Sequence, residues 1–240
     1  IHTIGIRSFP SFIATIIAKK KNIPLVISDQ GGLTTHPDLE HGSILKRMLY
    51  KIQTPMIRFI INNATKVSVA NEYEKNIFKK FIDESKIQIV RNGINLDILK
   101  MKTNNFKNKY NITSNFILFV GRFNKVKGID VLLHAIKILK DKPELRDVSF
   151  VIMGVDFGFQ EEMLQMIKDL EIEKLIKVIK NPPREDVIQA YRESKFLVYP
   201  SRWELSPLTP LEAFAFKKTV ISTTAHGIPH TIHHNQNCIL

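Results

Sequence analysis

Two short segments hold the residues best suited to chemistry. The first is Gly121-Arg122-Phe123-Asn124-Lys125-Val126-Lys127-Gly128, which follows an apolar run ending at Val120 and precedes a helical pattern from Ile129 to Leu139. A strand, a glycine-bounded loop and a helix start make an anion site, because unpaired backbone N–H groups and the helix dipole favour negative charge there. Arg122 would grip two phosphate oxygens with its fork, and Lys127 would neutralise a neighbouring oxygen as a point charge. Taken alone, the loop fits a solvated basic turn equally well. It is not a Walker loop, since no Gly-Lys-Ser/Thr follows, and no G-x-G-x-x-G fingerprint occurs in the chain.

The second segment runs Pro200-Ser201-Arg202-Trp203-Glu204-Leu205-Ser206-Pro207-Leu208-Thr209-Pro210-Leu211-Glu212-Ala213, after an apolar run from Phe196 to Tyr199. Open α/β sheets bind their ligands outside the carboxyl ends of the strands. Glu204 falls in a loop, and Glu212 in a helix that Leu208 or Thr209 starts. Two carboxylates near one helix start, with backbone N–H groups between them, suit a ligand with both hydroxyl donors and phosphate acceptors. A nucleotide sugar is such a ligand. The plainer alternative, for an arbitrary pair of glutamates, is a surface residue and a solvated helix residue.

The elements that must position these segments alternate short apolar runs with longer amphipathic stretches, the pattern of strand-helix units around a mostly parallel sheet. In a first series, Leu25 to Ile27, Lys66 to Val69 and Ile87 to Val90 read as strands. Ser11 to Lys21, Ser43 to Asn63 with a break at Pro55, and Glu72 to Phe81 read as helices. In a second series, strands are expected at Phe116 to Val120, Ser149 to Met153, Ile176 to Ile179, Phe196 to Tyr199 and Thr219 to Ser222. Asn95 to Asn115 is polar, has no apolar period and reads as a connection between two domains, 1–110 and 111–240.

Composition narrows the partners. The chain has 240 residues, 44% apolar and 24% charged, as a globular protein does. No uncharged apolar stretch reaches spanning length. The single cysteine, Cys238, excludes an intrachain disulfide framework and favours a reducing compartment, so the cytoplasm is the expected location. Of the net charge of +12, the first 110 residues carry most, with 18 Lys and Arg against 8 Asp and Glu. That half is expected to face something anionic: a phosphorylated substrate, a phospholipid surface or nucleic acid. Against nucleic acid, the cations are scattered and no aromatic platform is interleaved with them. Ile44, Leu45, Met48, Leu49 and Ile52 form an apolar stripe beside Lys46, Arg47 and Lys51, which fits a core-facing helix with a basic outer side or an interfacial membrane helix. No metal is implied, because no Asp-x-Asp occurs and His233-His234 are adjacent rather than at helical ligand spacing.

Taken together, Gly121-Arg122 with Lys127-Gly128, the pair Glu204 and Glu212 in a Pro-Ser-x-x-Glu context, Gly154 after a strand, Asn92-Gly93-Ile94-Asn95 and Gly227-Ile228-Pro229 resemble glycosyltransferase family 4 in order and approximate spacing. The resemblance covers most of residues 66–240. It implies the GT-B fold, two Rossmann-like parallel-sheet domains facing a cleft, and a retaining hexosyltransferase-type activity on a UDP- or GDP-sugar donor with no other cofactor. It implies that Arg122 and Lys127 contact the diphosphate, Glu204 the transferred sugar and Glu212 the ribose hydroxyls. Gly121, Gly154 and the backbone around Ser206, Pro207 and Leu208 would line the donor, with Gln30 and Gly31 on the sugar and acceptor side. The acceptor would be a lipid-linked glycan, for instance on polyprenyl phosphate, another glycan or a small molecule, at the inner face of a membrane touched by the basic half.

By the same resemblance, the first glycine-rich loop and helix of the family would precede Ile1, and its last helices would follow Leu240, leaving both domains incomplete. The sequence departs from the family at Gln30, where a His is usual, with His36 and His41 nearby as ordinary loop histidines. It departs again at His230 after Pro229, where a Glu is usual, and at Cys238, where a Gly is common. Those departures favour a second reading, a non-catalytic module that keeps a sugar-nucleotide fold.

Overall fold

The computed structural model describes residues 1–29, 31, 33, 48, 51–102 and 105–240. They form two compact units. One comprises Ile1–Asn92, Trp203–Ser206 and His226–Thr231, and the other Gly93–Arg202, Pro207–Ala225 and Ile232–Leu240.

Among the described residues, the first unit is built on four strands in the order β1 (His2–Ile4), β2 (Val26–Ser28), β3 (Lys66–Val69) and β4 (Ile87–Ile89), every neighbouring pair parallel. Parallel pairs need crossovers, and helices α1 (Phe9–Lys21), α2 (Thr54–Asn63) and α3 (Glu72–Phe78) lie in them. The Ser8 hydroxyl caps α1 by accepting the Ser11 amide at 3.3 Å, Pro10 sits in its first turn, and Asn22 stops it in the left-handed region at φ 52°. The break expected at Pro55 falls at Gln53: residues 51–52 are helical, Gln53 turns, and Pro55 sits in the first turn of α2, where a missing N–H is no loss. Ile6, Leu25, Ile27, Ile60, Ile61, Val67 and Phe78 make the buried core.

The second unit holds six parallel strands in the order β10-β9-β8-β5-β6-β7. In chain order these are β5 (Asn115–Val120), β6 (Val148–Gly154), β7 (Ile176–Lys180), β8 (Leu197–Tyr199), β9 (Val220–Ser222) and β10 (Cys238–Ile239). Four helices of regular length accompany them: α5 (Ile129–Leu139), α6 (Gln160–Asp169), α7 (Arg184–Glu193) and α8 (Leu208–Ala215). They are preceded by a single turn, α4 (Phe106–Lys109). Phe116 to Phe119 of β5 are buried without interruption, as in a strand covered on both faces.

Residues 93–102 and 105–110 group with this second unit. Phe106 is fully buried, its ring 5.9 Å from that of Phe116. Lys109 and Tyr110 both reach the buried Asp186, at 2.6 and 2.5 Å, and Gln189 and Arg192 of α7 donate to the Lys102 and Leu99 carbonyls at 2.8 Å. One apolar anchor among polar ties leaves no hydrophobic period for the sequence to display.

From β5 the chain runs outward through β6 and β7, then returns to lay β8 on the other side of β5. The strand order therefore reverses between β5 and β8, and such a switch point opens a crevice at the carboxyl edge. Two glycines set how closely the loops pack there. A Cβ on Gly154, at the end of β6, would lie 1.8 Å from the Gly121 carbonyl oxygen, and one on Gly128, at φ 68°, would lie 1.9 Å from the Pro200 carbonyl oxygen. Gly154→Ala must push β6 away from the loop after β5, with an expected loss of roughly 1–3 kcal/mol in urea unfolding. An unchanged midpoint would mean that this approach is not a determinant of the edge.

Candidate functional site

Both segments singled out in the sequence begin at the strands that flank the switch point. After β5, Gly121 and Arg122 lead to Phe123, which bridges Asp156, and Asn124 accepts the Val126 amide at 2.9 Å to start a single 3-10 turn, Lys125–Lys127. Gly128 ends that turn and α5 begins. The exposed Arg122 guanidinium lies 5.0 Å over the Phe157 ring, and the Lys127 ammonium lies 5.8 Å over the Tyr199 ring, 3.5 Å from its hydroxyl.

After β8, the chain is sewn to the first loop by main-chain acceptors. Ser201 Oγ and the Arg202 amide both donate to the Val126 carbonyl, at 3.1 and 2.8 Å. The Arg202 side chain donates to the Lys125 carbonyl at 2.8 Å and forks onto Asp130 at 2.6 and 2.7 Å, which holds the Asp130 carboxyl below its usual range. Arg202 stands in the motif, yet its tie to Asp130 spans 72 positions and gave no sequence signal.

Helix α8 starts at Pro207 with no side chain capping it and no acidic residue in its first turn, so the amides of Leu208 and Thr209 open an electropositive end. One face carries Glu212, whose side chain is 13% exposed and is forked by Arg184, the first residue of α7. Tyr191 of α7 is fully buried close by. Burial, and then the Glu212 charge, push its phenol well above the usual tyrosine range. Neither Arg184 nor Tyr191 was marked by the sequence reading. The second unit thus brings Gly121, Arg122, Lys127, Gly154, Pro207, Leu208 and Glu212 to the loops and helix starts of one sheet edge.

Glu204 and Ser206 fall in the first unit. Glu204 is buried, contrary to the surface alternative, and its carbonyl accepts the Gly227 amide at 2.9 Å. Asn71 donates to the Leu205 carbonyl at 2.6 Å and Asn92 to that of Ser206 at 3.0 Å, so side-chain amides fix this turn. Gln30, His36 and His41 lie outside the described residues, as does most of the apolar stripe from Ile44. Of that stripe, Met48 and Ile52 are described and exposed.

Gly31 adjoins a buried acidic pair that sequence reading also missed. Asp29 accepts the Ile6 and Leu33 amides at 3.5 and 3.3 Å. Glu74 of α3 accepts the Ala70 amide at 2.6 Å. Burial pushes the Glu74 carboxyl up to about 7. The Ala70 amide opposes that rise, the Asp29 charge adds to it, and the Gly31 amide opposes it. In the sequence Glu74 reads as an ordinary first-turn acid of a helix.

Among the described residues no cluster of His, Cys, Asp and Glu is arranged to hold a metal ion, and no helix is long and apolar enough to cross a membrane.

Two parallel-sheet α/β units, one with a glycine-bounded basic loop and an uncapped helix start at its switch point, define the GT-B class of fold. HepE of Anabaena, solved in complex with UDP, matches the fold with a TM-score of 0.73 at 19% identity, over 95% of this chain and 61% of that one. A family model described as glycosyl transferases group 1 matches residues 100–240, and the chain belongs to that family. An uncharacterized glycosyltransferase of Methanocaldococcus jannaschii is 26% identical over 95% of this chain and 57% of its own length. The D-inositol 3-phosphate glycosyltransferase of Corynebacterium jeikeium is 32% identical over 46% of this chain and 27% of its own length. The chain therefore spans only part of the relatives it matches.

Glu74 makes stability depend on pH. Between its ordinary 4.5 and the folded value of about 7, the folded chain holds more protons than the unfolded one, so this group lowers stability as pH rises through that window. Set against Glu74→Gln, the wild type is expected to lose about 2 kcal/mol more between roughly pH 5.5 and roughly pH 8 in urea unfolding. Parallel pH profiles for the two proteins would show that another group titrates.

Proposed function

We propose that the protein is a retaining glycosyltransferase that moves a hexose from a nucleoside-diphosphate sugar to a lipid-linked, glycan or small-molecule acceptor. The observation that carries the reading is the sharing of one sheet edge by the basic loop after β5 and the uncapped start of α8, on the two sides of the switch point. Family membership supports sugar transfer. The relative HepE was solved with UDP and with UDP-glucose, which supports a uridine nucleotide as the first donor to test, with guanosine as the alternative.

Breaking the anomeric C–O bond builds negative charge on the departing diphosphate and positive charge on the sugar ring. Arg122 and Lys127 bind the diphosphate oxygens, and the Leu208 and Thr209 amides with the α8 dipole stabilise the charge that accumulates there. Gly121 and Gly154 line the diphosphate side of the edge, where their close packing sets the loop that carries Arg122. Glu212 accepts the ribose hydroxyls. Glu204 orients the transferred sugar, with the backbone of Ser206 and Pro207 along it and Gln30 and Gly31 on the acceptor side. The acceptor hydroxyl attacks from the face the diphosphate leaves, and its proton passes to a leaving phosphate oxygen, so no protein nucleophile is needed. A metal ion has no part in this scheme. The cations of the first 110 residues fit an anionic membrane surface at the cytoplasmic face, where a polyprenyl-phosphate-linked acceptor would lie.

Turnover of a nucleotide-sugar donor by the full-length protein tests the reading, through transfer or hydrolysis. Arg122→Ala removes a solvent-exposed guanidinium and is expected to leave the fold intact while lowering turnover at least about tenfold, as is Glu204→Ala. An unaltered rate in either variant would remove that residue from the mechanism.

A further inference from the structure

Arg184 and Glu212 come from different helices, 28 positions apart, and meet as a fork on a fork. Arg184 Nη1 donates to one carboxylate oxygen at 3.2 Å and Nη2 donates to the other. Their exposures differ: the Glu212 side chain is 13% exposed and that of Arg184 49%. A half-exposed ion pair adds little to stability. What a bidentate pair does supply is direction, since it fixes the plane of the carboxylate.

The surroundings point the same way. Asn181 donates its amide to the Gly154 carbonyl at 2.8 Å, tying the end of β7 to the glycine edge of β6. Pro182 and Pro183 follow and set the backbone from which α7 and Arg184 start. On α7 two turns later, the Tyr191 ring stacks on Phe216 at 6.1 Å and 7°, and its buried hydroxyl has Glu212 and Thr209 as neighbours. The Glu212 side chain is thus bordered by a guanidinium fork and a rigid phenol.

We infer that Arg184 is a positioning residue that holds the Glu212 carboxylate ready to accept a ribose diol. This rests on the donor-binding reading of Glu212 above. Each carboxylate oxygen carries two lone-pair directions, so engagement by Arg184 leaves a second direction on each oxygen for a hydroxyl. A glutamate already ordered before the ligand arrives gives up less freedom on binding. Releasing it is expected to weaken diol recognition roughly 3- to 10-fold.

The test is calorimetric binding of UDP and GDP, and of their 2′,3′-dideoxy analogues, to the full-length protein and to Arg184→Met, Glu212→Gln and the double variant. The expected result is a wild-type preference for the ribose nucleotide that falls roughly 3- to 10-fold in Arg184→Met, falls at least as far in Glu212→Gln, and falls no further in the double variant. Arg184→Lys, which keeps the charge without the fork, supplies the same comparison if Arg184→Met does not fold, and a partial loss is expected there. If Arg184→Met weakens ribose and dideoxy nucleotides equally, or leaves the preference unchanged, Arg184 does not act through Glu212. If the wild type binds neither nucleotide, or binds both sugar forms alike, the donor-binding reading of Glu212 itself fails.

Discussion

At the carboxyl edge of the second sheet, stretches of main chain approach one another more closely than any side chain would permit. The Gly121 carbonyl faces Gly154, and the Pro200 carbonyl faces Gly128, each within 2 Å of where a Cβ would stand, at 1.8 and 1.9 Å. The Arg202 amide then reaches the Val126 carbonyl, and the Asn181 amide reaches that of Gly154. Through these contacts the loops that leave β5, β6, β7 and β8 are fixed mainly by backbone. Polar side chains placed on such loops inherit their positions from the sheet, which is the most rigid part of the unit.

The cations of this edge meet acids, aromatic faces or both. Lys125, Arg184 and Arg202 pair with Glu162, Glu212 and Asp130, and in each case the pair ties two elements together. Arg122 and Lys127 lie over the aromatic faces of Phe157 and Tyr199, as Lys125 also does over Phe159. A ring face orients a cation while using few of its hydrogen-bond donors. The uncapped start of α8 adds partial positive charge to the same edge.

What could be read from sequence depended on whether a feature is local. The apolar run of β5 and the strand-loop-helix order around Arg122 are local, and their outlines were legible. β1 and β10 were not read, and β10 spans only two residues, too short to carry a period. The stretch before β5 looked like a connection because its buried apolar residues among those described, Phe106 and Ile112, stand six positions apart amid polar ties. Partners distant along the chain were beyond reach: nothing near Glu212 announces Arg184, and nothing near Glu204 shows that its carboxyl is buried. Asp29 and Glu74 are brought together only by the pairing of β2 with β3, so a buried acid read as a routine helix-start residue.

The departures from the family pattern near the end of the chain fall where the frame tolerates them. At Cys238, where the resemblance to family 4 implies a glycine, the side chain is buried in β10 in register with Val220 of β9, and its small apolar thiol packs there. His230 is exposed in a short 3-10 turn, its ring 6.5 Å from that of Tyr73 and its amide donating to the Gly227 carbonyl at 3.2 Å, a main-chain bond that does not depend on the side chain. Neither residue is among the close backbone approaches that build the edge. The match to the group 1 glycosyl transferase family runs through both of them, across residues 100–240.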